Sequence, residues 1–188
     1  MKDLSVLPEG LPVPVNDGAC QHLHNLRVPS VPLLTTSGRT VDLAFERGIT
    51  VIYFYPLIGH PEAPPMLGWN EIPGARGCTP QSCSYRDLNE DFKRMGVQVF
   101  GASSQSLDAQ KEAASRLRLP FELLNDSALL FANALALPTF QYDDMTLIKR
   151  LTLIIQDGVV IKVYYPVFPP NQNALDVISW LKTYFGVI

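Results

Sequence analysis

The sequence predicts an α/β domain with a mostly parallel central sheet, helices on both faces and an antiparallel hairpin at one edge. Three observations carry this expectation. Strand-like and helix-like patterns alternate between residues 50 and 135. The run TVIYFY at 50–55 is β-branched and aromatic with no charged interruption, the profile of a strand covered on both faces. Near the C-terminus, LTLIIQD and VVIKVYYPV flank Gly158 as two strands about a tight turn.

In chain order, residues 1–30 are proline-rich and aperiodic, which predicts an extended arm; residues 31–188 form the folded domain. PLLTTSGRTVDL reads as a hairpin, with a strand over 32–36, a turn at Ser37-Gly38 and a short second strand. After the 50–55 strand comes an irregular stretch, 56–77, with five prolines and four glycines. Loops of this length are uncommon in compact domains and are often functional. Helical spacing follows over 80–95, where Tyr85, Leu88 and Phe92 share a face and Gly96 stops the run. VQVFGASS (97–104) is a strand, 107–118 a helix, PFELL a short strand and 127–135 a helix. The late hairpin and an amphipathic helix over 173–186 complete the domain.

The chain of 188 residues suffices for one core. With 47 % hydrophobic and 18 % charged residues it is globular in composition rather than disordered. A net charge of -3 without charged blocks argues against nucleic acid or an anionic membrane as partner. The longest apolar runs are strand-sized, and MKDLSVLPEGLPVPVNDG has prolines where a signal peptide needs an apolar core. The expected setting is cytoplasmic. Three cysteines are too few and too odd for a disulfide framework, which leaves catalytic, metal-binding or inert roles.

Two of them, Cys78 and Cys83, lie in GCTPQSCSYRD at the start of the helix after the long loop. A helix N-terminus offers unpaired N–H groups and the positive end of the helix dipole. Such positions favour the thiolate, the nucleophilic form of cysteine. Five residues along one helix separate Cα atoms by ~8–9 Å. A disulfide needs them within about 7 Å, so the pair closes only if the first turn unwinds. Two readings fit this spacing: a redox switch that opens locally, or two small residues buried on an apolar helix face. For a metal, Cys20, His22 and His24 are the nearest cluster, short of a four-ligand set.

FYP at 54–56 and GCTPQSCSYRD at 77–87 resemble the peroxiredoxins, specifically the bacterioferritin-comigratory or Q-type subgroup. Arg150 followed by LTLIIQDG resembles the family's R-x-T-F-x-I-x-x-D-G strand. The resemblance spans roughly residues 30–180. It implies a thioredoxin-like fold and a thiol-dependent peroxidase. Cys78 would be the peroxidatic cysteine, oxidised to a sulfenic acid, and Cys83 the resolving cysteine that forms the intramolecular disulfide. Arg150 would stabilise thiolate and peroxide. The implied partners are a hydroperoxide and a thioredoxin-like or glutaredoxin-like reductant, with the chain a monomer or homodimer. No metal or organic cofactor is required.

The sequence departs from the family at two places. The family threonine three residues before the peroxidatic cysteine is replaced by Ala75, and the loop between Pro56 and Cys78 is much longer than usual. Arg76, Thr79 and Tyr55 are the candidates to supply the missing polar group, and Pro73 is a candidate to shield the cysteine. Bland readings stand beside these: a solvated arginine, a first-turn threonine, a strand-core tyrosine. Gln81 stands where the subgroup often has glutamate. Cys20 reads as a bystander or an alternative resolving thiol. Two further functions share the fold: a disulfide-exchange or redox-sensing protein, and a non-catalytic binding module with inert cysteines.

Overall fold

All six residues of strand β3 (Ile49–Phe54) are buried in the computed structural model, which describes residues 4, 6–64 and 66–186. Side chains alternate across a strand, so β3 serves two cores at once. Ile52 and Phe54 pack with Phe100, Phe131 and Leu153 on one face. Val51 and Tyr53 pack with Tyr85, Val99 and Leu181 on the other. This is why the 50–55 run carries no polar alternation.

Around β3 the sheet assembles from β1 (Leu33–Thr35), β2 (Thr40–Val41), β4 (Val97–Ser103), β5 (Leu123–Asn125), β8 (Leu151–Gln156) and β9 (Val159–Tyr164). The strand order is β2-β1-β5-β4-β3-β8-β9. The expectation of a mostly parallel sheet is corrected here. Only β3–β4 and β4–β5 pair in parallel, while the other four pairings are antiparallel. Parallel neighbours need a helical crossover. The chain has two in this sheet: one through α1 (Cys78–Asp87) and α2 (Asn89–Arg94), one through α3 (Leu107–Arg116). The hairpins at either end of the chain add antiparallel strands.

Element bounds differ from the sequence pattern where local geometry intervenes. The helix expected over 80–95 starts at Cys78 and breaks at Leu88, whose backbone leaves the helical region. The helix expected over 127–135 shrinks to α4 (Leu130–Ala134), because Leu129 sits at φ 54°. There the Asp126 carboxylate accepts from the Phe131 and Ala132 backbone N–H groups and caps the start. A second sheet, β6 (Thr139–Tyr142) and β7 (Met145–Ile148), is an additional hairpin between α4 and β8, where the sequence pattern predicted no strands.

Helices α1, α2, α3 and α5 (Asn173–Tyr184) contribute Tyr85, Phe92, Ala113 and Leu181 to one core. The opposite face is covered by α4 and part of the N-terminal arm. The arm is more integrated than an extended surface segment. It makes a 3-10 turn at Gln21–Leu23, buries Leu23 and Val28, and exchanges backbone hydrogen bonds with Val160 along β9.

Candidate active site

The site forms where β3 ends, the long loop begins and α1 starts. The register of β3 on β8 places Phe54 opposite Leu151. Arg150, one residue before β8, therefore arrives beside the C-terminal end of β3. Cys78 is the first residue of α1, and the preceding Gly77 has φ 107°, a conformation that favours glycine. A side chain there would run into Pro170 and into Leu7 Cδ2 at 2.8 Å. Gly77 thus lets the loop, the arm and α5's leading turn meet at the cysteine.

Arg150 is 3 % exposed and uses its whole guanidinium. Nε donates to the Gly74 carbonyl at 3.2 Å. Nη2 donates to the Ala75 and Arg76 carbonyls, at 3.1 and 3.3 Å, and to Cys78 Sγ at 3.1 Å. Nη1 donates to Gln81 Oε1. No carboxylate among the described residues pairs with it. A buried cation without a counter-ion costs several kcal/mol unless other groups compensate it. Here the compensation comes from neutral acceptors and one sulfur. The Cys78 sulfur also faces the Ala75 carbonyl at 3.5 Å.

A second tier holds this arrangement. Gln81 is buried and passes its Nε2 hydrogen to Asn173 Oδ1 at 3.1 Å. Tyr85 and Thr152 donate to the same oxygen at 2.7 and 2.8 Å. This network fixes α1, β8 and α5 against one another. The sequence reading noted Gln81 only as standing where the subgroup often has glutamate, and missed Tyr85, Thr152 and Asn173 as site groups. Their only signal is a polar residue within an apolar pattern.

Ala75 is fully buried with Trp69 and Leu147, and Leu57, Ile72, Phe140 and Tyr142 surround them. The long loop and the β6–β7 hairpin thus share a small core of their own. Trp69 meets Tyr142 edge-on at 5.1 Å, and Tyr142 donates to the Leu67 carbonyl at 2.9 Å. At its start the loop is clamped by Gln105, whose side chain bonds both the N–H and the carbonyl of Ile58.

The folded loop roofs a cleft of about 630 Å³ that ends on Cys78. Arg76 and Thr79, two of the candidates to supply the missing polar group, line it. Tyr55 packs in the same core as Cys78, and its buried hydroxyl has no hydrogen-bond partner among the described residues. Burial raises its ionisation far above the usual tyrosine range. Pro56 and Pro73 do not line the cleft: they border a separate cavity of about 360 Å³ together with Arg150 and arm residues 13–15.

Cys83 lies on the same unbroken α1, half-buried, and no disulfide is formed. Burial pushes its thiol above the usual range, with Arg86 acting in the opposite sense. Helix geometry keeps its Cα ~8–9 Å from that of Cys78. Cys20 packs in the core across the sheet, and burial pushes it up to about 12. Among the described residues no group of His, Cys, Asp and Glu is arranged to hold a metal ion, and no helix is long and apolar enough to cross a membrane.

Compared with known proteins, residues 23–178 match the Redoxin family. The chain is 32 % identical over 157 residues to the chloroplastic peroxiredoxin Q of Sedum lineare, covering 82 % of this chain and 75 % of that protein. It is 31 % identical over 157 residues to the chloroplastic peroxiredoxin Q of Populus jackii, covering 82 % of this chain and 66 % of that protein. The structure resembles peroxidoxin BcpB from Mycobacterium tuberculosis with a TM-score of 0.70 at 22 % identity, covering 85 % of this chain and 96 % of that one. Peroxiredoxin Q of Xanthomonas campestris gives 0.66 at 22 %, with 82 % and 90 % covered. These structural likenesses show the thioredoxin-like α/β fold.

Proposed function

This chain belongs to the peroxiredoxin family, in its Q or bacterioferritin-comigratory subgroup, and we propose that it reduces hydroperoxides at Cys78. The observation that carries the reading is the Arg150–Cys78 contact at 3.1 Å, made by a buried guanidinium that has no carboxylate partner among the described residues. A thiolate at Cys78 is the anion that this cation lacks.

In the proposed cycle the Cys78 thiolate attacks the outer oxygen of R–O–O–H. An S–O bond forms, the O–O bond breaks, and the departing alkoxide or hydroxide takes a proton from water. Arg150 faces the negative charge as it moves from sulfur to oxygen. The Ala75 carbonyl that faces the Cys78 sulfur cannot donate, and Thr79, which lines the cleft that ends on Cys78, offers a hydroxyl to the peroxide. Cys83 then attacks the sulfenic acid; an S–S bond forms and water leaves. An external dithiol, thioredoxin-like or glutaredoxin-like, reduces the disulfide by exchange. Resolution requires α1 to open, because both cysteines sit on one intact helix. A reducing compartment such as the cytoplasm suits this cycle; the chloroplastic names belong to the plant relatives.

Stopped-flow consumption of hydrogen peroxide and cumene hydroperoxide with excess dithiothreitol tests the reading. Cys78→Ser is expected to abolish turnover. With the dithiol removed before peroxide is added, Cys83→Ser is expected to trap a sulfenic acid on Cys78, seen by dimedone labelling and mass spectrometry. Full activity in Cys78→Ser would sink the assignment. A second reading, disulfide exchange with little peroxidase activity, is favoured by Ala75. It predicts that dithiol exchange with the Cys78–Cys83 disulfide outpaces peroxide reduction.

A further inference from the structure

Arg76 lies two residues before Cys78, in the run GARGC that ends the long loop. Its carbonyl is held by Arg150, which fixes the backbone from which its side chain departs. The side chain lines the cleft that ends on Cys78. Among the described residues no carboxylate lies within 4.0 Å of its guanidinium. Its Nε is buried without a hydrogen-bond acceptor among the described residues. The cleft's other facing charges are already engaged: Glu112 pairs with Arg116 at 2.6 Å and faces His60 at 3.5 Å. The cleft therefore presents one uncommitted cation two residues from the reactive sulfur.

The remaining walls are largely apolar, with Leu57, Ile58, Met66 and Trp69 among them. A volume of about 630 Å³ fits a ligand of many heavy atoms. Hydrogen peroxide needs little more room than a water molecule, about 30 Å³ in the liquid. Resting on the peroxidase reading above, we infer that Arg76 is a specificity-determining residue that selects hydroperoxides of apolar carboxylic acids. The carboxylate accepts hydrogen bonds from the Arg76 guanidinium, the chain lies along the apolar roof, and the hydroperoxide reaches Cys78. Arg76 takes no part in the bond changes.

The test compares 13-hydroperoxy-octadecadienoic acid with its methyl ester, both below their micelle thresholds, with dithiothreitol as reductant. The full chain is expected to favour the acid by at least about tenfold in kcat/KM, the scale of a hydrogen bond to a charged group. In Arg76→Gln the acid-to-ester ratio is expected to fall to about one, mainly through KM. Arg76→Lys is expected to restore part of it. Because the readout is a ratio within each variant, any general loss of activity cancels. A wild-type ratio near one, or a ratio that survives Arg76→Gln, overturns the inference while hydrogen peroxide turnover still upholds the peroxidase reading. If neither hydrogen peroxide nor either lipid is reduced, both fall together.

Discussion

Replacing Arg150 by methionine tests the centre of the site, because the side chain keeps its approximate length while losing every donor. In the native protein Nη2 reaches Cys78 Sγ at 3.1 Å, and the same group is bonded to the loop carbonyls of Ala75 and Arg76. A hydrogen bond to a charged group contributes about 1.5–3 kcal/mol. If Arg150 stabilises charge on the sulfur and then on the leaving oxygen, its loss lowers the second-order rate constant with peroxide about ten- to 150-fold. The Gly74, Ala75 and Arg76 carbonyls and Gln81 Oε1 also lose a donor, so the folded fraction is checked by circular dichroism before each assay. Arg150→Lys retains the charge but not the planar fork, and is expected to recover part of the rate. The assay is stopped-flow mixing of reduced protein with hydrogen peroxide under pseudo-first-order conditions. A rate constant for folded Arg150→Met within threefold of the native value would refute the charge argument.

Two further outcomes follow from the same packing. Gly77→Ala places a methyl group against Pro170 and Leu7 at φ 107°, and is expected to destabilise the fold by about 1–3 kcal/mol from overpacking and about 1–2 kcal/mol from the left-handed backbone; urea unfolding within 0.5 kcal/mol of native would contradict it. Cys20 is buried with its ionisation raised from 9.0 to about 12, so between these values the unfolded chain has lost a proton that the folded chain keeps. Stability should therefore fall with rising pH by up to about 1.4 kcal/mol per unit from this residue, and the slope should flatten over pH 9–12 in Cys20→Val, as read by urea midpoints.

Much of the fold was legible because burial leaves a periodic trace. The β3 run lacked polar alternation because both of its faces are covered, and the strand–helix alternation marked the crossovers. The parallel character of the sheet was overestimated because strand direction depends on how distant segments pair. The antiparallel placement of β8 beside β3 joins residues about one hundred positions apart. The β6–β7 hairpin escaped notice because its strands are only four residues each, with Leu147 and Ile148 alone buried and Pro138 at their entry.

The cysteine pair was visible in the sequence because a thiol at a helix start is a feature of neighbouring positions, whereas Arg150 was singled out only through the resemblance of its strand to the family's. Gln81, Asn173, Tyr85 and Thr152 are ordinary polar residues along the chain, and only packing of α1 on α5 and β8 joins them into a network. The same holds for the long loop. By itself the sequence determined that a polar group is missing at Ala75 and that 56–77 must be accommodated. Tertiary structure alone decided how: the loop folds on Trp69 against the β6–β7 hairpin, and its backbone carbonyls hold Arg150 beside Cys78. The physical reason is that carbonyls are present at every position and carry no sequence signature until the chain's path aims them at one cation.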